Sequence, residues 1–241
     1  MINVAIIPAR GGSKRIYKKN IREFCGKPII AYSIEAAINS GMFDRVIVST
    51  DDQSIADIAK EYGAETPFMR PVSLADDHTG TNDVVAHAIN ALEQLGETLG
   101  YVCCIYATAP FLQKEYIQCG LSELKADENK HYAFSVCKFN YPVQRSFTIE
   151  KPERHVTLLE PKSIGARSQD LPEHFHDAGQ FYWGLAKDFV HVVDGGMFSR
   201  FAIPIVLPNY LVQDIDDEGD WRRAEYMYRA LMADIEGTLK I

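Results

Sequence analysis

Short apolar runs alternate with segments of helical period through the first half of the chain. Residues 4–7 form an unbroken apolar run of strand length. From Pro28 to about Asn39, apolar residues fall at Ile30, Ile34, Ala37 and Ile38, one face of a helix that Gly41 ends. Residues 46–48 read as a second strand. A helix then starts at Asp51 or Asp52, carries Ile55, Ile58, Ala59 and Tyr62 on one face, and stops at Gly63. A short segment at 64–68 leads to a polar loop, Val84, Ala88, Ala91, Leu92 and Leu95 mark a further helix, and 101–106 is another buried strand. Such alternation predicts an α/β fold, a mostly parallel sheet with helices on both faces.

The pattern changes after residue 130. Residues 133–139 read as a strand, whereas 144–149 and 155–159 alternate like a hairpin around the polar turn 150–154. A polar stretch, 160–177, precedes the apolar run 179–185. Residues 201–207 form a late strand, and Trp221, Ala224, Tyr228 and Leu231 line one face of a final helix. The expected organisation is a single domain over residues 1–241 with an inserted arm at about 140–177. Val143, Phe147, Ile149, Val156 and Leu158 alternate along that arm, and a lone hairpin cannot bury them. Symmetric pairing of two arms in a homodimer would cover that face; packing on its own domain is the alternative.

Composition narrows the class. The N-terminus shows no basic region followed by a cleavable apolar stretch, and no run approaches the ~18 apolar residues of a spanning helix, so neither secretion nor membrane insertion is expected. Five cysteines without a C-x-x-C pattern fit a reducing, cytoplasmic setting; Cys103 and Cys104 read as core. The net charge of −8 makes nucleic acid a poor partner.

Against that acidic average, residues 8–20 gather five cations, Arg10, Lys14, Arg15, Lys18 and Lys19, around Gly11, Gly12 and Ser13. The loop leaves the first strand, at the carboxyl edge where open α/β sheets bind ligands. Glycines there allow close approach to a polyanion, and their amides can form an anion-binding nest. A triphosphate is the natural partner, a solvated basic turn the plain alternative. Neither the Walker pattern nor G-x-G-x-x-G is present. Asp214-Ile215-Asp216-Asp217 follows the late strand. In extended geometry the carboxylates of Asp214 and Asp216 share a face while Ile215 points into the core, which suits Mg²⁺; otherwise Asp216 or Asp217 caps the last helix. His174, His176 and Asp177 lack a third histidine or cysteine at metal spacing, so a substrate-contacting or structural role is expected. Phe181, Tyr182 and Trp183 read as core or sheet-edge aromatics, with Gln180 and Tyr182 expected by alternation to line the substrate pocket.

The segments 7–14 and 18–20 closely resemble the signature loop of the cytidylyltransferases that activate nonulosonic acids, the CMP-sialic acid synthetase group. The similarity continues through 48–51, Arg70-Pro71, Ala75-Asp76-Asp77, 107–110, 167–171 and 214–216, nearly the whole chain. Residues 104–110, 144–146 and 176–183 are most similar to the branch acting on pseudaminic acid. The resemblance implies a Rossmann-like nucleotidyltransferase fold and a homodimer whose arm leans toward the neighbour's site, where Arg167 would act in trans. It also implies a CMP-sugar made for cell-surface glycans, flagellin included. Arg10, Ser13 and Asn20, with Gly11, Gly12 and Lys14, would hold the CTP phosphates and sugar. Lys19 would stabilise charge on the α-phosphate and pyrophosphate, Arg70 and Thr81 (in the loop 76–83) would complete the cytidine pocket, and Asp214 and Asp216 would hold Mg²⁺. Arg145 and Arg167 suit a sugar carboxylate, which a guanidinium grips bidentately. The sialic acid enzymes carry glutamine where this chain has Tyr106 and lysine where it has Gln144. Those departures favour a differently substituted nine-carbon acid over N-acetylneuraminate. Enzymes charging legionaminic acid or KDO, and a sugar-binding or regulatory module without turnover, are the rival readings.

Overall fold

The computed structural model describes residues 1–76, 79–192 and 195–237; Asp77, part of a motif quoted above, lies outside them. Strand β1 (Ile2–Pro8) is followed by the short pair β2 (Glu23–Phe24) and β3 (Lys27–Pro28), then α1 (Ile29–Ser40), β4 (Arg45–Ser49), α2 (Gln53–Glu61) and α3 (Thr81–Gln94). Next come β5 (Leu99–Ile105), α4 (Lys114–Ala126), β6 (Tyr132–Lys138), β7 (Phe147–Glu150) and β8 (His155–Leu158). The chain continues through β9 (Phe175–Leu185), α5 (Ala186–Val190), β10 (Ala202–Leu207) and α6 (Glu218–Ile235).

Six strands form the central sheet in the order β10-β6-β9-β5-β1-β4. β1 pairs parallel with β4 and β5, and β6 pairs parallel with β10. β9 runs antiparallel between β5 and β6 and joins the two parallel halves. The carboxyl ends of the other five strands therefore share one edge with the start of β9. One face of the sheet (Ala5, Ile7, Cys103, Ile105, Trp183) packs under α1, α2 and α4; the other (Val4, Ile6, Cys104, Tyr182) packs under α3 and α5. A third cluster, with Ile16, Phe24, Tyr32, Ile215 and Trp221, seats α6 beside the loop after β1.

Two local expectations need correction, and one helix was not foreseen. Thr81 is the first residue of α3 and not part of a loop, because Gly80 supplies the extended backbone that starts the helix. Gln144 sits in a 3-10 turn, Val143–Arg145, set by Pro142, and not on the hairpin strand. Helix α4 leaves little trace in the sequence: its buried positions are Ile117, Gly120, Leu121 and Leu124, and one of the four has no side chain. The hairpin itself pairs Phe147 with Leu158 and Ile149 with Val156. Phe147, Ile149 and Val156 are each more than half exposed.

Candidate active site

A cleft of about 540 Å³ opens at the carboxyl edge, lined by Arg10, Ser13, Lys14, Arg15, Lys19, Asn20, Arg70, Asp76, Thr79, Thr81, Tyr106 and Asp216, among others. Its floor is the loop after β1. Gly11 is required there: a Cβ would lie 2.5 Å from Oδ2 of Asp52 and 2.9 Å from its Cβ. The Gly11 amide is already engaged, donating to Oδ1 of Asp51 at 3.1 Å, and the Ser13 amide donates to the Gly11 carbonyl at 3.0 Å. Neither amide is then free to join an anion nest, so the loop presents its side-chain charge to the cleft. Gly12 differs, since nothing lies within 4 Å of a Cβ built on it. Asn20, 9% exposed, donates its side-chain amide to the Arg10 carbonyl at 3.0 Å and closes the loop on itself. Lys18 takes a left-handed conformation (φ 50°). The next residue, Lys19, crosses to the far wall and donates to the Ile215 carbonyl at 2.7 Å.

That bond joins the cationic loop to the Asp-Ile-Asp segment. Ile215 is fully buried, as the alternation requires, and anchors the segment in the third core cluster. Asp217 caps α6, accepting from the amides of Gly219 (2.7 Å) and Asp220 (3.0 Å), while Asp220 accepts from the amides of Asp216 and Asp217. The capping duty thus falls on Asp217, which leaves Asp216 to line the cleft, with Asp214 beside it but outside the lining. Asp216 pairs with Arg15 at 2.6 Å. Burial first, then the charge of Asp216, raises the carboxyl of Asp214 above its ordinary range, and Lys19 opposes both. Burial likewise lowers the Lys19 ammonium below its usual value. A carboxyl raised by the charge of a neighbouring carboxylate suits a hard divalent cation. Among the described residues no group of three or more His, Cys, Asp or Glu forms a metal cage. The pair is therefore an open ligand set, fit for a cation that takes its remaining oxygens from water and phosphate.

Arg70 forms the opposite wall. It is 5% exposed, its amide donates to the Thr50 carbonyl at 2.8 Å, and its Nε and Nη2 make no hydrogen bond among the described residues. Asp51 stands 3.5 Å from Nη2, so one carboxylate faces both the Gly11 amide and this guanidinium. A buried guanidinium whose Nε lacks a partner, and whose Nη2 has one only at 3.5 Å, is costly unless a ligand satisfies it. Arg10 reaches the Ala75 carbonyl at 3.4 Å, and Thr81 Oγ1 lies 3.1 Å from the Tyr106 hydroxyl. Asp51 escaped the sequence reading because Asp51 and Asp52 are equivalent as helix caps on paper. In the fold Asp52 caps α2, accepting from the amides of Ser54 and Ile55, and Asp51 is released to the loop.

The remaining sugar-site candidates do not line this cleft. Gln144 donates to the Pro172 carbonyl at 2.8 Å, and Arg145 binds Ser168 Oγ (3.3 Å) and the Ala166 carbonyl; both brace the root of the arm. Arg167 is largely exposed on the arm and paired with Asp170 at 2.7 Å. Gln180 is buried and donates to the Leu211 carbonyl, and Tyr182, 1% exposed, lies behind Tyr106. Burial explains both corrections, since β9 is an interior strand and its side chains meet helices on either face. His174 and His176 hold local contacts, Nδ1 to the Pro172 carbonyl (3.1 Å) and Nδ1 to the Asp177 carbonyl (2.8 Å).

The sequence model of a family described as cytidylyltransferase matches residues 4–183. A pseudaminic acid cytidylyltransferase of Campylobacter jejuni is 42% identical over 229 residues, covering 95% of this chain and 97% of the relative. A CMP-N,N'-diacetyllegionaminic acid synthase of Legionella pneumophila is 42% identical over 232 residues, covering 92% and 94%. A solved CMP:2-keto-3-deoxy-manno-octonic acid synthetase in complex with CTP shares the fold, with a TM-score of 0.66 and 15% identity over 96% of this chain and 98% of that one.

Proposed function

The chain belongs to the cytidylyltransferase family, and on that premise we propose that it joins CTP to a nine-carbon nonulosonic acid, pseudaminic acid, releasing pyrophosphate and the CMP-sugar. The observation that carries the reading is the single cleft in which a loop of cations meets the Asp-Ile-Asp segment, the two tied by Lys19 to Ile215. In the reaction the anomeric hydroxyl of the sugar attacks the α-phosphorus and pyrophosphate departs. Such transfers need positioning and charge neutralisation rather than a covalent intermediate.

Arg10, Ser13, Lys14 and Asn20 would position the triphosphate and ribose, with Gly11 and Gly12 shaping the loop. Arg70 and Thr81 would take the cytosine; the idle donors of Arg70 are matched by its carbonyl oxygen. Lys19, held 2.7 Å from a backbone carbonyl, would meet charge that grows on the α-phosphate and on leaving pyrophosphate. Asp214 and Asp216 would hold Mg²⁺. The cation would polarise the α-phosphate and lower the pKa of the attacking hydroxyl. Lys19 needs no proton transfer for its part; its charge suffices.

The arm is proposed to pair two chains, which would bring Arg145 and the exposed Arg167 toward a neighbour's sugar carboxylate. The apolar face of Phe147, Ile149 and Val156 supports that arrangement. A second sugar, N,N'-diacetyllegionaminic acid, is kept because a synthase named for it is as identical as the pseudaminic relative. The test is incubation with CTP, Mg²⁺ and, in separate reactions, pseudaminic acid, legionaminic acid, N-acetylneuraminate and KDO, following pyrophosphate. Pseudaminic acid should give the highest kcat/KM and excess EDTA should stop release. Absence of pyrophosphate with every acid would leave a binding module and end the enzymatic reading.

A further inference from the structure

The loop after β1 is tied to the acidic segment before α6 in more than one place. Lys19 donates to the Ile215 carbonyl at 2.7 Å. Arg22 pairs with Glu218 at 2.6 Å, its guanidinium 4.4 Å over the Trp221 ring. Both of those bonds are made to groups other than the carboxylates of Asp214 and Asp216. A further tie is not: Nη2 of Arg15 donates to Oδ1 of Asp216 at 2.6 Å. Both partners line the cleft and both are solvent-exposed. An exposed pair of this kind is weak and exchanges partners readily. Lys19 and Arg22 would keep the loop docked if Arg15 let go. Charge points the same way. Arg15 and Lys19 bring two positive charges to a segment whose Asp214 and Asp216 carry two negative ones. A free divalent cation therefore meets a neutralised pair of acids rather than a bare one. A triphosphate supplies the missing negative charge and a new partner for the guanidinium.

We propose that Arg15 is an internal counter-ion of Asp216 that a divalent cation must displace, so that the site takes its metal together with a polyphosphate rather than alone. The inference rests on the proposed function for the assignment of the metal to Asp214 and Asp216, and adds the order in which the cleft is loaded. A surface pair that only stabilises the fold is the plain alternative, and it predicts no link between Arg15 and metal.

Mn²⁺ binding is measured by calorimetry on the wild type, Arg15→Gln and Lys18→Gln, first alone and then with CTP but no sugar acid, so that nothing turns over. Lys18 is the control, a cation of the same loop whose Nζ stands 5.8 Å from the centre of the Tyr17 ring. Salt at about 0.15 M screens surface charge that is not in direct contact with the site. Without CTP, Arg15→Gln should bind Mn²⁺ about fivefold more tightly than the wild type, the scale of one exposed ion pair, while Lys18→Gln stays within about twofold. CTP should then tighten Mn²⁺ binding more on the wild type than on Arg15→Gln, because the displaced guanidinium has a phosphate to meet. The affinity of Mn²⁺ for CTP in solution is common to all three proteins and cancels from that comparison. Damage to the fold would weaken Mn²⁺ in both titrations, so a gain without CTP separates a counter-ion from a structural role. Equal or weaker Mn²⁺ binding by Arg15→Gln, the same gain in Lys18→Gln, or an equal effect of CTP on wild type and Arg15→Gln overturns the inference. Failure of the wild type to take up Mn²⁺ even with CTP removes the metal assignment instead, and this inference with it.

Discussion

Asp51-Asp52 and Asp216-Asp217 divide their work in the same way: the second residue caps a helix and the first turns to the loop after β1. Either residue of each pair serves as a cap on paper, so the sequence left both assignments open, and the folded backbone decides them. Ile215 was legible because a buried apolar residue between two acids has one direction to point. Asp51 was not, since its partner Gly11 lies 40 positions away. Lys19→Ala tests the charge assigned to that side chain. Losing a group that acts on transition-state charge should lower kcat on the order of 10²-fold or more, with little change in the KM of CTP; a KM effect alone would make Lys19 a binding residue. His87, on α3, gives a pH prediction. Burial and the nearby charge of Arg70 hold its imidazole below the ordinary value of 6.5. The unfolded chain then binds the proton first, so the stability associated with a neutral His87 is present above that value and is lost as pH falls through the folded one. Between pH 7.5 and 5.5 the melting temperature should drop less in His87→Gln than in the wild type, and equal drops would contradict it.

Most elements of the first half were readable because their buried faces are dense with β-branched and aliphatic residues. Periodicity reports burial and not direction, so the apolar run of β9 gave no sign that it lies antiparallel between β5 and β6. Nor did the sequence show α4, whose contact with the sheet depends on a missing side chain. A Cβ at Gly120 would sit 2.8 Å from Cδ1 of Trp183 and 3.0 Å from Cε2 of Phe181, both rings fully buried. Crowding of this kind costs about 1–3 kcal/mol, more than the roughly 1 kcal/mol that alanine gains over glycine in a helix. Gly120→Ala should accordingly lose up to about 2 kcal/mol in denaturant melts, and a stabilised variant would show that α4 can back away from the sheet.

In the whole molecule, five strand ends and the start of β9 bring the cationic loop, Arg70 and Asp216 to one edge. The loop and the acidic segment stood out by their own charges and spacing, whereas Arg70 was indicated only by the family resemblance. The sugar end was not legible, since Gln180 and Tyr182 are interior residues of a central strand and Arg167 stands on an exposed arm. If two arms pair, light scattering at micromolar concentration should give about twice the 27.1 kDa chain mass, and Phe147→Asp with Ile149→Asp should return it to that of one chain. A monomeric wild type with full activity would end the shared-site proposal. The direction of attack is the centre of the account, and it is tested most directly with pseudaminic acid carrying ¹⁸O in its anomeric hydroxyl, CTP and Mg²⁺, the products read by mass spectrometry. The label should appear in the bridging oxygen of the CMP-sugar, with pyrophosphate unlabelled; label in the pyrophosphate, or a CMP-sugar without it, would contradict attack by the sugar hydroxyl on the α-phosphorus.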